Sequence, residues 1–224
     1  MEIEINSEKI RLHYVKQSIM DINNNVVSNE ILLRSKSKLN IEELISFINK
    51  DIKTQMMIVR DQLSYVRTLK DNGNDNSESY NINLFNDCIT SDLIKVLYIE
   101  NNDLCNKITL EITEGIKLNK REIDILLKLQ KIGVRLALDD FGKEQANISS
   151  LIRMNFDCVK IDKELIKNVP NSIFNCTLYR DVVMLCKNRG VKITSEGIEN
   201  KEQLEYVKYL QVNEIQGFYL SMPK

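Results

Sequence analysis

The chain has 224 residues, 31 Lys and Arg against 32 Asp and Glu for a formal net charge of −1, and 43% hydrophobic residues. Such a balance supports a sizeable core under a mixed charged surface and gives no reason to expect a DNA or other polyanion partner. The longest apolar runs, such as Val182-Val183-Met184-Leu185-Cys186, are too short to cross a bilayer, and Met1-Glu2-Ile3-Glu4 lacks the basic start of a signal peptide; the expectation is a cytoplasmic protein without a membrane span.

In chain order, apolar runs bounded by turns predict eight strands, at about residues 10–19, 26–33, 79–84, 107–112, 134–139, 156–161, 191–195 and 212–219. Only Asp21-Ile22-Asn23-Asn24-Asn25 separates the first two. That is too short for a helical crossover, so they are expected to pair as an antiparallel hairpin. Helical patterns fill the later gaps: Asn40 to Leu69 with a break near Asp51, Ser91 to Ile99, Lys120 to Lys131, Thr177 to Asn188 and Lys201 to Leu210. Gly133 and Gly190 stand where helix C-caps belong, and Asp71 to Glu78 reads as a polar loop. Eight strands alternating with helices, at about 28 residues per unit, give an α/β fold: a (β/α)₈ TIM-like barrel with one antiparallel strand near the N-terminus, residues 1–224 forming one domain. The five cysteines are odd in number and never closely paired, which suits buried free thiols better than a metal or redox role.

Charge collects where these strands end. Leu136-Ala137-Leu138 runs into Asp139-Asp140, Ile108-Thr109-Leu110 into Glu111, Val159 into Lys160, and Val191 to Ser195 into Glu196. One acid at a strand end is commonly a helix N-cap or a surface residue. A set at barrel-unit spacing is different, because parallel barrel strands bring their ends to one mouth, where Glu30, Asn83 and Gln216 join them. Packed carboxylates repel and raise one another's pKa unless a counter-charge intervenes. An oxygen-only donor set, with His13 as the sole histidine, favours a hard cation such as Mg²⁺ or Mn²⁺, and adjacent Asp139-Asp140 could hold two ions about 3.5–4 Å apart.

These segments resemble the EAL domain family of cyclic di-GMP phosphodiesterases over nearly the whole chain. Glu30-Ile31-Leu32-Leu33-Arg34 resembles E-A-L-L-R, Asn83-Leu84 resembles N-L-S, and Glu111-Ile112-Thr113-Glu114 matches E-I-T-E. Asp139-Asp140-Phe141-Gly142 matches D-D-F-G, Lys160-Ile161-Asp162 matches K-I-D, Glu196-Gly197-Ile198-Glu199 resembles E-G-V-E and Gln216-Gly217-Phe218 resembles Q-G-Y. The resemblance implies hydrolysis of cyclic di-GMP to linear pGpG by a two-metal mechanism with Mg²⁺ or Mn²⁺. Glu30, Asn83, Glu111 and Asp139 would hold the first ion; Asp139, Asp140 and Glu196 the second. Lys160, Glu196, Glu114 and Gln216 would complete the catalytic set, with Lys160 positioning the attacking water. Leu32 and Arg34 would contact the ligand, Arg34 at a phosphate, and Gln17 would take the place of the glutamine in Y-Q-P-I, although Val15-Lys16 here separates Tyr14 from Gln17. A homodimer is implied too, and the alternative is a catalytically weak or inactive EAL-like module that binds cyclic di-GMP or a protein partner as a signalling effector.

The chain departs from the family in three places. After D-D-F-G the family reads T-G-Y-S-S, whereas this chain has Lys143-Glu144-Gln145-Ala146-Asn147, which invites a pairing of Lys143 with Glu114. Ser35-Lys36-Ser37-Lys38-Leu39 follows Arg34 where the family has an aromatic and a Pro/Gly-containing stretch that helps form the guanine pocket. Met222-Pro223-Lys224 stands where the family continues into a closing helix, so the expectation is either a barrel without that cover or a shortened chain, with no sensory domain expected and regulation expected from partners, expression or substrate level.

Overall fold

The computed structural model describes residues 1–5, 8–36, 41–72, 79–113, 118–143 and 148–224. The expected helix start at Asn40, the loop from Gly73 to Glu78, Glu114 and the segment from Glu144 to Asn147 lie outside these residues.

Among the described residues, nine strands form one sheet: β1 (Glu2–Ile5), β2 (Glu8–Asp21), β3 (Val26–Ser35), β4 (Ser79–Asn83), β5 (Ile108–Thr113), β6 (Arg135–Phe141), β7 (Cys158–Ile161), β8 (Lys192–Ser195) and β9 (Glu214–Ile215). β2 to β9 close into a barrel, because β2 pairs antiparallel with both β3 and β9 while every pairing from β3 to β9 is parallel. The reversal is made locally. Asp21 Oδ1 accepts from the backbone N–H groups of Asn23 (2.8 Å) and Asn25 (2.9 Å), and Asn24 takes a left-handed φ of 66° that asparagine tolerates.

The helices are α1 (Ile41–Ile48), α2 (Ile52–Asp71), α3 (Ser91–Ile94), α4 (Lys120–Lys131), α5 (Ile148–Arg153), α6 (Lys163–Ile166), α7 (Ile173–Asn188) and α8 (Lys201–Tyr209). Asp51 explains the break expected near it: its carboxylate caps α2 by accepting from the Lys53 and Thr54 N–H groups. Asn119 and Glu122 form a reciprocal capping box at the start of α4. Gly133 and Gly190 take positive φ after α4 and α7, as C-cap glycines do.

Three expectations need correction. β1 falls outside the predicted strands; it pairs antiparallel with β2 beyond the barrel and closes a small apolar cluster of Ile3, Ile10, Leu12, Leu44, Ile48 and Ile58. The helix expected from Ser91 to Ile99 holds its α geometry only to Ile94 and widens into a π-turn at Lys95–Glu100. The last strand keeps ladder pairing only at Glu214–Ile215, since the next residues turn to cover the barrel mouth.

Strand side chains alternate between faces. Ile82, Leu110, Ile112, Leu136, Leu138, Val159, Ile161 and Ile193 are buried in the main core with Val59, Leu63 and Val66 of α2 and Leu126 and Leu129 of α4. The intervening residues point into the barrel, and there, apart from Ala137, they are mostly polar. At its N-terminal end Arg135 Nε donates to Thr109 Oγ1 (3.2 Å) and Thr194 Oγ1 donates to Glu214 Oε2 (2.9 Å), with Cys158 Sγ 3.2 Å from Thr194. These pairs fill the barrel from below, leaving its polar cluster facing the C-terminal mouth. Four of the cysteines are buried and free, and Cys176 is half-buried. Burial pushes the Cys158 thiol up to about 12, so it stays protonated at neutral pH.

Gly217 fixes the chain that turns over the mouth. A Cβ there would run into the backbone of Ile198, whose N–H and C=O already bond Gln216 and Tyr219 (3.1 and 3.0 Å). Gly217→Ala is expected to cost about 1–3 kcal/mol by overpacking, or a melting temperature lower by roughly 2–12 °C for a chain of this length. An unchanged thermal melt would show that the turn yields freely.

Candidate active site

The carboxyl ends of β3 to β9 deliver the residues singled out in the sequence to one place. At its centre is Lys160 on β7, 1% exposed, whose Nζ lies 2.6 Å from Glu111 Oε1, 2.9 Å from Glu196 Oε1, 3.0 Å from Asp139 Oδ1 and 3.6 Å from Glu30 Oε2. Glu30 on β3 is held on both oxygens: Asn83 Nδ2 donates to Oε1 (3.2 Å) and Gln216 Nε2 to Oε2 (2.7 Å). Glu111 on β5 accepts from Asn81 Nδ2 at Oε1 (2.9 Å), while its buried Oε2 has no hydrogen-bond partner among the described residues.

Asp139 and Asp140 are consecutive, so in a regular strand they would face opposite ways. β6 breaks the alternation. Its register with β7 slips by one residue between Leu138 and Phe141, and Asp140 adopts a φ of 56°. This bulge turns both carboxylates to the mouth, where Asp139, Asp140 and Glu196 each offer an oxygen within 4.8 Å of the others.

Burial and crowding set the protonation of these groups. Burial would raise Glu30, but the Lys160 ammonium and the Gln216 and Asn83 amides hold it below the ordinary carboxylate range. Burial, with the Glu30 charge beside it, lifts Glu111 well above that range. Burial raises Glu196 to about 8, Asp139 and Glu30 adding to the rise against the pull of Lys160. Asp140 is raised by burial and by Asp139. Lys160 is held well above its usual value: burial works against its charge, and the surrounding carboxylates outweigh it. The donor set is oxygen-only, partly buried, and retains an unpartnered carboxylate oxygen at Glu111. It fits a hard divalent cation.

The expected ligand contacts divide between two cavities. Leu32 and Arg34 line one of about 520 Å³ together with Asn83, Leu84, Phe85 and Gln62. Gln17 lines another, of about 200 Å³, with Glu30, Glu196, Gln216 and Phe218. Both ends of the Gln17 amide are engaged: Nε2 donates to Ser221 O (2.9 Å), and Oε1 accepts from Gln216 Nε2 (3.2 Å). Lys143 Nζ lies 3.5 Å from Asp140 Oδ2; the expected pairing of Lys143 with Glu114 falls on a residue outside the described ones.

Sequence reasoning missed Asn81, which bonds Glu111. The signal was present in Asn81-Ile82-Asn83, since residues two apart on a strand share a face.

Residues 2–223 match the EAL domain family. The chain belongs to the EAL domain family. It is 32% identical over 120 residues to an uncharacterized signaling protein of Caulobacter vibrioides, covering 53% of this chain and 15% of the relative. It is 28% identical over 116 residues to the cyclic di-GMP phosphodiesterase NbdA of Pseudomonas aeruginosa (51% and 15%), and 25% identical over 171 residues to the cyclic di-GMP phosphodiesterase PdeR of Escherichia coli (74% and 26%). The chain therefore spans about a quarter or less of the length of these relatives. Among solved structures, the EAL enzyme Bd1971 bound to cAMP and cyclic-di-GMP superposes with a TM-score of 0.85 at 23% identity, over 95% of this chain and 62% of that one. The manganese and cy-diGMP complex of Klebsiella pneumoniae BlrP1 superposes with a TM-score of 0.82 at 22% identity, over 100% and 58%. The EAL barrel with one antiparallel strand is thus the fold of this chain. Among the described residues, no helix is long and apolar enough to cross a membrane.

Proposed function

We propose that this EAL domain binds cyclic di-GMP and hydrolyses it to linear pGpG with Mg²⁺ or Mn²⁺ as cofactor. The observation that carries the reading is the convergence of Glu30, Asn83, Glu111, Asp139, Asp140 and Glu196 at one barrel mouth, with one Glu111 oxygen left without a partner among the described residues. Related domains bearing the name cyclic di-GMP phosphodiesterase, and an EAL structure in complex with manganese and cy-diGMP, support the choice of substrate and of a divalent cation.

Glu30, Asn83, Glu111 and Asp139 would hold one cation, and Asp139, Asp140 and Glu196 the other. Bound there, divalent cations lower the pKa of water and offset charge on a phosphodiester. Gln216 and Asn83 fix both oxygens of Glu30, so its orientation does not depend on the ligand. The Lys160 ammonium lies within reach of the same oxygens and can orient the attacking water and draw charge from the phosphate. Water oxygen adds to one phosphorus, the bond from phosphorus to a 3′ oxygen breaks, and the leaving oxygen takes up a proton. Arg34, which lines the larger cavity, would grip a phosphate.

One contact favours a second reading, a catalytically weak effector module that binds the same ligand or a protein partner: Lys143 occupies Asp140, a donor of the second cation set. Incubation with cyclic di-GMP and Mg²⁺ or Mn²⁺, with pGpG followed by chromatography and Glu30→Ala as control, decides between them. Metal-dependent pGpG absent from the control is the expected result. Tight nucleotide binding with no pGpG at high protein concentration would establish the effector module instead.

A further inference from the structure

Four carboxylates face Lys160, from β3, β5, β6 and the end of β8, at 2.6 to 3.6 Å from its Nζ. An ammonium has three N–H donors and cannot satisfy four partners with separate hydrogen bonds. It acts here as a shared point charge, and from β7 it reaches its neighbours β6 and β8 and also β3 and β5, which β7 does not adjoin. Gathering four carboxylates, Glu30, Glu111 and Asp139 buried and Glu196 half-buried, without a counter-charge is costly, both by desolvation and by mutual repulsion. Glu30, Glu111 and Asp139 are also the oxygens that the proposed function assigns to a divalent cation. Ammonium and cation therefore compete for the same carboxylates and repel one another.

Resting on that reading of the site, we propose that Lys160 is its internal counter-cation: it holds the four carboxylates in place before a divalent cation arrives, and it opposes the cation's entry. Lys160 is in this respect a positioning residue, set by its charge, whatever it does later toward the phosphate. Two opposite effects follow from one substitution. Removing the charge loosens the protein without metal and tightens its grip on metal. A lysine acting only on substrate would produce neither.

The test uses the full chain stripped of metal by chelator, with no nucleotide present. Lys160→Met keeps a long apolar stem and removes the charge. Its thermal melt should fall below that of the unsubstituted protein, and adding Glu111→Gln should raise it again, because one fewer buried charge then lacks compensation. If Lys160 serves only as packing, Glu111→Gln will leave the melt of the Lys160→Met protein unchanged or lower it, and the proposal fails. Should Lys160→Met not fold without metal, circular dichroism of the double variant decides in the same sense: recovery of the helical signal supports the proposal and its absence overturns it. In the second arm Mn²⁺ is titrated and the free ion followed by electron paramagnetic resonance. Lys160→Met should bind Mn²⁺ about tenfold tighter or more, and an affinity equal to or weaker than that of the unsubstituted protein overturns the proposal. If neither protein binds Mn²⁺, the cation reading of the site is what has failed, and the metal-free melts still decide whether Lys160 acts as the counter-charge of the four carboxylates.

Discussion

Glu111→Gln is expected to abolish most of the pGpG formation while leaving the fold intact. The side chain lies 1% exposed at the end of β5, with Oε1 fixed by Asn81 and Lys160 and Oε2 buried without a partner among the described residues. An unsatisfied buried carboxylate oxygen is costly, and it is tolerated where a ligand completes it. Glutamine matches the volume but puts an amide N–H₂ either against the Lys160 ammonium or into the position of the free oxygen, and an N–H₂ cannot ligate a cation. Losing about 4 kcal/mol of transition-state stabilisation corresponds to roughly a thousandfold in rate. Single-turnover chromatography of pGpG at saturating Mn²⁺, beside a thermal melt, separates the two properties. A rate within about tenfold of the unsubstituted protein would remove Glu111 from the cation site.

The residues that build this mouth were legible because barrel topology converts sequence spacing into spatial convergence. Glu111, Asp139, Lys160 and Glu196 each end an apolar run, and parallel strands of one barrel place such ends together without further information. The antiparallel β2 was legible for the opposite reason, since Asp21 to Asn25 is too short to carry a crossover. What stayed hidden depends on contacts remote in sequence or on local backbone distortion. β1 is an amphipathic stretch of four residues whose only reason to be a strand is the edge of β2 and the small cluster around Leu44 and Ile58. The π-turn after α3 preserves the burial of Val96 and Leu97 in a segment whose periodicity alone reads as α-helix. Lys143 pairs with Asp140, a neighbour three residues away that the sequence pattern did not single out as its partner. Asn81 escaped because an asparagine inside a strand carries no mark until its partner, Glu111, is known to lie across the ladder.

Asp140 poses a separable question, because its backbone and its charge do different work. The bulge in β6 holds it at a φ of 56°, a conformation that asparagine adopts readily and a β-branched residue does not. Asp140→Asn should therefore melt close to the unsubstituted protein and still lose about a hundredfold or more in turnover, the scale on which removal of one charge-stabilising group acts. Asp140→Val should lose turnover and stability together, since strain of about 1–3 kcal/mol is added, equivalent to several degrees at roughly 2–4 °C per kcal/mol for a chain of this length. The Asn variant carries the functional test. If its turnover recovers at high Mn²⁺, Asp140 sets the affinity of the second cation, and the Lys143 contact competes directly with that ion. If turnover stays low at every Mn²⁺ concentration, the Asp140 charge contributes in the transition state itself. Unimpaired turnover would leave Asp139 and Glu196 as sufficient donors for the second ion and reduce the bulge to a structural feature of β6.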